Sequence, residues 1–238
     1  MTGWGIDWHY LILVALPGLL IGLWAQARVR AAYARASKIR SRSGLTGAAA
    51  ARAILEASGA GDVEIEPTGG FLSDHYHPML KKLRLSEANY SGDSLAAMGV
   101  AAHEAGHAIQ HARGYLPLML RSVLVPACQI GSVLGQIAVA FGLVLIMSQS
   151  VLGEKVLLLG ILGYTAVFLF TLVTVPVEYN ASSRAMEALT RQGIVSEDEV
   201  PEVRSVLNAA ALTYVAAAVT VLLNLLYLVS LYNRRRRD

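Results

Sequence analysis

The chain has 238 residues, of which 55% are hydrophobic and only 16% are charged, and this composition excludes an ordinary soluble protein. The formal net charge of +3 does not indicate nucleic-acid binding, because the basic residues cluster beside long apolar runs, where they act as topology signals and headgroup contacts. The single cysteine, Cys128, excludes an intramolecular disulfide framework. We therefore expect an integral membrane protein.

The first apolar run covers residues 8–25 and has Trp8 and Trp24 near its ends, which is typical of a spanning helix with interfacial aromatic anchors. Six Lys or Arg follow between Arg28 and Arg42. Because this cationic segment comes after the apolar run, the order is the reverse of a secretory signal peptide. We expect a first membrane helix whose basic flank is cytoplasmic.

Short soluble elements are predicted after this flank. The Ala-rich segment 46–58 predicts a helix that is capped by Thr46 and ended by Gly59. Alternating segments at 63–66, before a proline, and at 82–86 predict two short strands.

The next segment contains the motif His-Glu-x-x-His. On a helix, His103 and His107 lie one turn apart on the same face, so both imidazoles can point at one ion. Glu104 lies roughly 100° around the helix from His103, where it can reach a metal-bound water without being a ligand. We expect Ser94 or Asp93 to cap this helix. The other predicted features of the helix are its end at Gly114 and Pro117 and a core-facing side with Met98, Ala102, Ala105 and Ile109.

Two apolar runs at 123–147 and 156–175 predict a membrane hairpin. A hairpin returns the chain to the side that it left, so the following residues share one side of the bilayer with the motif helix. We expect a separate helix over 178–192, ended by Gly193. After it come a capping box of Ser196 and Glu199, a first helical turn at Pro201, and a fourth span at 207–232.

A catalytic zinc site needs three protein ligands, and the motif supplies two. Glu178 is the first candidate for the third, because it begins a helix on the correct side, although the helix dipole alone would also favour an acid there. Weaker candidates in solvent-facing or loop segments are Glu187, Glu197, Glu199 and Glu202, and two loop histidines, His75 and His77, could also bind metal.

Five stretches together carry a resemblance that covers nearly the whole chain. They are 74–76 (DHY), 83–86 (LRLS), 101–110 (AAHEAGHAIQ), 176–185 (PVEYNASSRA) and 207–216 (LNAAALTYVA). The sequence resembles the YugP-type neutral zinc metallopeptidases of bacterial membranes, which are distantly similar to the HtpX and CAAX-processing metalloproteases. The resemblance implies a mainly α membrane protein. Four transmembrane helices would accompany a zincin-like metallopeptidase domain, built from the motif helix and short β-strands, at the membrane face.

The same resemblance implies one zinc ion (Zn2+) per chain, with His103, His107 and Glu178 as ligands and Glu104 as the base. Ser182 departs from the pattern, because the HtpX group usually has an aspartate one turn after its ligand glutamate, where it supports a ligand histidine. Similar zinc peptidases also bind an extended substrate along the strand before the motif helix, which implies edge-strand binding at 82–86.

An oxyanion stabiliser is also required, and no histidine follows the candidate glutamate ligand. Arg184 is our first choice, with Tyr179 and Tyr214 behind it. A juxtamembrane cation explains Arg184 equally well.

The predicted function is a membrane-anchored zinc endopeptidase that hydrolyses peptide bonds of membrane or misfolded proteins by Glu-assisted attack of zinc-bound water. A motif buried in the membrane is disfavoured, because polar residues at 91–94 and 111–113 flank it. The alternatives are a non-catalytic four-helix membrane scaffold and a zinc-binding pseudoprotease. The expected partners are polypeptide substrates and the lipid bilayer, and no oligomeric state is predicted.

The predicted division of the chain has five segments. They are a first transmembrane helix (1–27), a catalytic segment with the motif (28–122), the hairpin (123–176), a catalytic segment with the third ligand (177–206), and a fourth helix with a basic tail (207–238). We expect a multi-pass protein of the bacterial cell membrane with a cytoplasmic active site. This topology places 15 of the 20 Lys and Arg inside, which the positive-inside rule favours, but leaves Arg234 to Arg237 outside.

Overall fold

The computed structural model describes residues 8–70 and 73–235 and is mainly helical, with one small sheet. Predictions for residues 1–7 and 236–238, including the end of the basic tail, lie outside the described residues. In chain order the elements are α1 (Trp8–Tyr10), a π-helical segment (Leu11–Ala15), α2 (Leu16–Ala36), α3 (Gly47–Ala57), β1 (Glu64–Thr68), β2 (His75–His77), β3 (Lys82–Ser86), α4 (Glu87–Tyr90), α5 (Leu95–Ala112), α6 (Leu116–Met147), α7 (Leu152–Arg191) and α8 (Val200–Arg235).

Four helical stretches are long and apolar enough to cross a membrane. Only a small share of the residues in their most apolar windows is buried within the described protein, as expected of helices that face lipid. The mainly α membrane fold with four transmembrane helices is therefore confirmed. The stretches are Trp8–Ala36, Cys128–Met147, Leu152–Arg191 and Val200–Arg234.

The chain forms two compact units. The first combines the described residues up to Trp24 with Leu120–Val175 and the chain from Tyr214 onwards, and the second combines Ala25–Met119 with Pro176–Thr213. The division into five segments stays a prediction.

Glycines allow close packing of α6 and α7 within the first unit. A Cβ on Gly163 would lie 2.9 Å from the Cα of Gly135, and a Cβ on Gly142 would lie 2.6 Å from the backbone nitrogen of Leu157. Small residues of this kind let the backbones of membrane helices approach one another.

The predicted helix caps of the second unit are confirmed. The side chains of Thr46 and Ser94 accept hydrogen bonds from the backbone N–H of Ala49 and Ala97, at the starts of α3 and α5. Gly114 follows the end of α5 with φ +61°, a conformation that favours glycine. The predicted core face of α5 is also confirmed, because Met98, Ala102, Ala105 and Ile109 are all buried.

The sheet has three strands in the order β1-β3-β2, one more than predicted. β1 pairs with β3 in parallel, and β2 pairs with β3 antiparallel, with Tyr76 opposite Leu83. β1 also continues through Pro67, which was expected to end it, because an edge strand tolerates the missing N–H of proline. β3 is thus paired on both sides, and the prediction that 82–86 offers a free edge to a substrate is wrong.

Helix α7 runs unbroken from Leu152 to Arg191 with Pro176 inside it, so the prediction of a separate helix starting at Glu178 is wrong. A proline removes one backbone hydrogen bond, which a long, packed helix tolerates. Glu178 lies well inside the helix, and the dipole of a helix N-terminus therefore does not explain its position.

The link before α8 carries the predicted capping interaction. The carboxylate of Glu199 accepts hydrogen bonds from the backbone N–H and the hydroxyl of Ser196, at 2.9 and 2.8 Å, and from the backbone N–H of Arg42 at 2.8 Å. α8 then starts with Pro201 in its first turn, as predicted.

Candidate metal centre

The two motif histidines lie one turn apart on α5. Their ring centroids are 4.8 Å apart and the rings are nearly perpendicular. The side chain of His103 is 13% exposed and that of His107 is 9% exposed. Helix α5 therefore presents two imidazoles to one point, as the spacing predicts.

Glu178 on α7 lies against both histidines. Its Oε2 atom is 3.1 Å from Nε2 of His103 and 3.5 Å from Nε2 of His107, and its side chain is 1% exposed. Ligand atoms of the three residues all lie within 4.8 Å of one another, and they form the one such group of His, Cys, Asp and Glu among the described residues. Two imidazoles and one carboxylate are the donors that catalytic zinc takes in His₂Glu sites, so the donor set fits zinc.

A glycine between the two histidines allows α5 and α7 to meet. A Cβ on Gly106 would lie 2.4 Å from the backbone oxygen of Ala181 and 3.3 Å from its Cα. Ala181 and Ala185 are completely buried at this contact. The small residues bring the two backbones together, and this brings Glu178 within reach of the imidazoles.

Each histidine is oriented through its second ring nitrogen. Nδ1 of His103 lies 3.1 Å from the hydroxyl of Ser182, and Nδ1 of His107 lies 3.0 Å from Oε1 of Gln110. Both Nε2 atoms are therefore directed at Glu178. Such outer partners fix the tautomer and the ring orientation of a metal ligand. The hydroxyl of Ser182 thus occupies the supporting position where the resemblance expects an aspartate.

Gln110 connects His107 to α7, and the sequence reasoning missed it. Its amide Nε2 donates to the backbone oxygen of Val177 at 2.9 Å and to Oδ1 of Asn180 at 2.9 Å. Because Nε2 is the donor, Oε1 accepts from His107, which carries its proton on Nδ1. Gln110 is completely buried, and its partners on α7 lie far away in the sequence, so the motif alone carried no signal for this role.

Glu104 is buried beside the three candidate ligands and is not one of them. Burial raises the pKa of its carboxyl to about 7, and the charge of Glu178 adds to this while His103 opposes it. The backbone of Tyr76, in edge strand β2, lies near the Glu104 carboxylate and favours its charged form, which opposes the effect of burial. This proximity places β2 beside the candidate base.

The side chain of Arg184 lies further along α7. Its Nε donates to Oδ1 of Asn180 at 2.7 Å, and its guanidinium carbon is 5.7 Å from the centroid of the Tyr115 ring. Asn180 also accepts from Gln110, so Arg184 reaches His107 through two intermediate side chains. The role of Arg184 as oxyanion stabiliser stays a prediction, as do those of Tyr179 and Tyr214.

The other candidate ligands have different partners. Nδ1 of His75 lies 2.8 Å from the backbone oxygen of Ser73, and Nδ1 of His77 accepts from the backbone N–H of Leu80. None of the candidates in loops or on solvent-facing segments belongs to the group of three ligands. Three glutamates are engaged elsewhere: Glu187 with Arg191, Glu199 with Ser196 and Arg42, and Glu202 with Arg35.

Comparisons with known proteins agree with this geometry. A model of the family described as "Putative neutral zinc metallopeptidase" matches residues 11–233. The chain is 41% identical over 227 residues to the "Putative membrane protease YugP" of Bacillus subtilis (strain 168), and the alignment covers 95% of this chain and 98% of that protein. No solved structure matches. The chain therefore belongs to the family described as "Putative neutral zinc metallopeptidase".

Proposed function

We propose that this membrane protein is a zinc endopeptidase in which His103, His107 and Glu178 hold one zinc ion and Glu104 is the base. The observation that carries the proposal is the convergence of two Nε2 atoms and one carboxylate oxygen between α5 and α7. Family membership supports zinc as the metal. The expected substrates are membrane or misfolded proteins.

The residues around the centre have separate tasks. The two imidazoles and the carboxylate would hold zinc, which would supply the Lewis acidity that acidifies water and polarises a carbonyl oxygen. The Glu104 carboxylate takes the proton of the attacking water and later delivers it to the leaving nitrogen. Ser182 and Gln110 hold the two imidazoles in their orientations.

The substrate binds along the free edge of β2. Among residues 8–70 and 73–235, β2 pairs with β3 on one side only, and the backbone of Tyr76 lies near the Glu104 carboxylate. An extended peptide that adds to this edge by main-chain hydrogen bonds lies next to the base. Because the added segment must be extended, the substrate is cleaved at unfolded segments.

The test separates ligand from base by zinc content and cleavage. Glu104→Gln keeps the size of the side chain but cannot take a proton, so the variant should retain about one zinc per chain and lose cleavage by a factor on the order of 10²–10⁴. Glu178→Ala should lose both zinc and cleavage, because it removes a ligand. Glu56→Gln, on the exposed side of α3, is the control and should behave as wild type.

Four results would count against the proposal. Normal cleavage by Glu104→Gln would show that Glu104 is not the base. Tight zinc binding by Glu178→Ala would show that Glu178 is not the third ligand. A wild-type protein that binds zinc and cleaves nothing is a pseudoprotease, and one without zinc is a scaffold. Proteins that accumulate in membranes with Glu104→Gln, relative to membranes with the active protein, would identify the substrates.

A further inference from the structure

A groove lined by three arginines lies between α2 and α8 in the second unit and has a volume of about 650 Å³. Arg28 and Arg35 line it from α2, and Arg204 lines it from α8. Ser205 and Asn208 of α8 add polar groups. None of these residues belongs to the candidate metal centre.

The groove has an excess of positive charge that the described chain does not neutralise. Arg35 is held by Glu202, at 3.3 Å, and by the hydroxyl of Ser205, at 2.9 Å. Arg28 and Arg204 are exposed and form no ion pair or side-chain hydrogen bond with any residue in 8–70 or 73–235. Both arginines line the groove, and within the described residues their guanidinium donors have no ion pair or side-chain hydrogen bond, so they are available to an anion.

The position of the groove along the two helices indicates which anion it holds. Arg28 comes just after the apolar run that ends near residue 25, and Asn208 comes at the start of the last apolar run, at 207–232. In both helices, the residues that line the groove therefore lie at the boundary between an apolar span and a polar segment. In a membrane protein this is the level of the lipid headgroups.

Part of the wall of the groove is apolar and consists mainly of small side chains. Ala31, Ala32, Ala209 and Leu212 line this part of the groove. Small side chains leave room for the glycerol of a lipid beside the charged groups. A free inorganic anion has no apolar part that could contact these side chains.

We propose that this groove binds the phosphate of an anionic phospholipid headgroup. The guanidinium groups of Arg28 and Arg204 clamp the phosphate by paired N–H donors, as planar guanidinium groups commonly do. Arg35, fixed by Ser205 and Glu202, closes the polar end. Basic pockets between membrane helices bind lipid headgroups by this chemistry.

The bound lipid supports the helix next to the candidate metal centre. The opposite face of α8 carries Val203, which is completely buried against Gly99 of α5. A lipid that links α8 to α2 therefore also stabilises the position of α8 against the motif helix α5. Because the ligand binds only the folded protein, it should raise the melting temperature.

The experiment uses the full chain in a neutral detergent, with lipid binding counted by native mass spectrometry. The probes are phosphatidylglycerol, which is anionic, and phosphatidylcholine, which has a phosphate but no net charge. The variant Arg28→Gln/Arg204→Gln removes the two unpaired arginines. The control Arg30→Gln/Lys38→Gln removes the same charge from exposed residues on the same flank, outside the groove.

We expect one tightly bound phosphatidylglycerol per wild-type chain, little phosphatidylcholine, and no displacement by millimolar inorganic phosphate. The groove variant should bind phosphatidylglycerol roughly thirtyfold more weakly, and the control should bind it like wild type. An equal loss in the control would show attraction by bulk charge and overturn the proposal. Displacement by inorganic phosphate would also overturn it, because the site would then be one for free anions.

Discussion

At the scale of single residues, the second nitrogen of each imidazole determines what the first can do. His107 donates from Nδ1 to Gln110, and this leaves its Nε2 as an acceptor facing Glu178. His103 is placed in the same way by Ser182. The orientation of the ligands thus depends on residues that never touch a metal.

Gln110 is the residue whose loss should show this dependence. Gln110→Ala removes the hydrogen-bond partner of His107. It also removes the amide donor that Gln110 provides to the backbone oxygen of Val177 and to Oδ1 of Asn180. Zinc affinity should fall by roughly 10–100-fold, which competition with a chelator would measure. Gln110→Glu keeps the acceptor for His107 but loses the donor to α7. If both variants bind zinc like wild type, Gln110 does not position the ligand.

At the scale of elements, the contact between α5 and α7 depends on the absence of one side chain. Gly106→Ala would place a methyl group against the backbone oxygen of Ala181, which cannot move without shifting α7. We expect a loss of stability of about 1–3 kcal/mol and weaker zinc binding, measured by chemical denaturation and metal content. Gly22→Ala, which has open space around its Cβ position, is the control and should lose neither. Unchanged zinc binding in Gly106→Ala would show that the close approach is not needed.

Local chemistry in the sequence predicted the elements that neighbours in the chain define. The caps at Thr46 and Ser94, the strand at 82–86 and the histidine pair all follow from residues within one or two turns. Glu178 could be proposed from the hairpin and the resemblance, although the helix start assigned to it was wrong.

Features that depend on distant partners could not be predicted. β2 has three residues and no alternation over a useful length, and it is a strand because β3 pairs with it. The continuity of α7 through Pro176 depends on its packing and not on the local sequence. The partners of Gln110 lie on another helix, so its role was invisible in the motif.

At the scale of the whole molecule, two basic segments, one after the first span and one after the last, favour opposite membrane topologies. Four spans place the segment 28–42 and the residues after the last span on opposite sides of the membrane, and both are basic. We expect the longer segment to prevail, because it flanks the first span and because most Lys and Arg then lie inside. With this topology we expect the active-site segments to lie in the cytoplasm.

Cysteine labelling in intact cells tests this topology. In a Cys128→Ser background, cysteines replace Lys38, Gln149 and Arg234, which are exposed and lie after the first span, between α6 and α7, and at the end of the last span. Because one span, Cys128–Met147, lies between the motif helix and Gln149, the two should be on opposite sides of the membrane. A membrane-impermeant reagent should therefore label positions 149 and 234 and leave 38 unlabelled until the cells are opened. Labelling of 38 in intact cells, with 149 protected, would place the candidate metal centre outside.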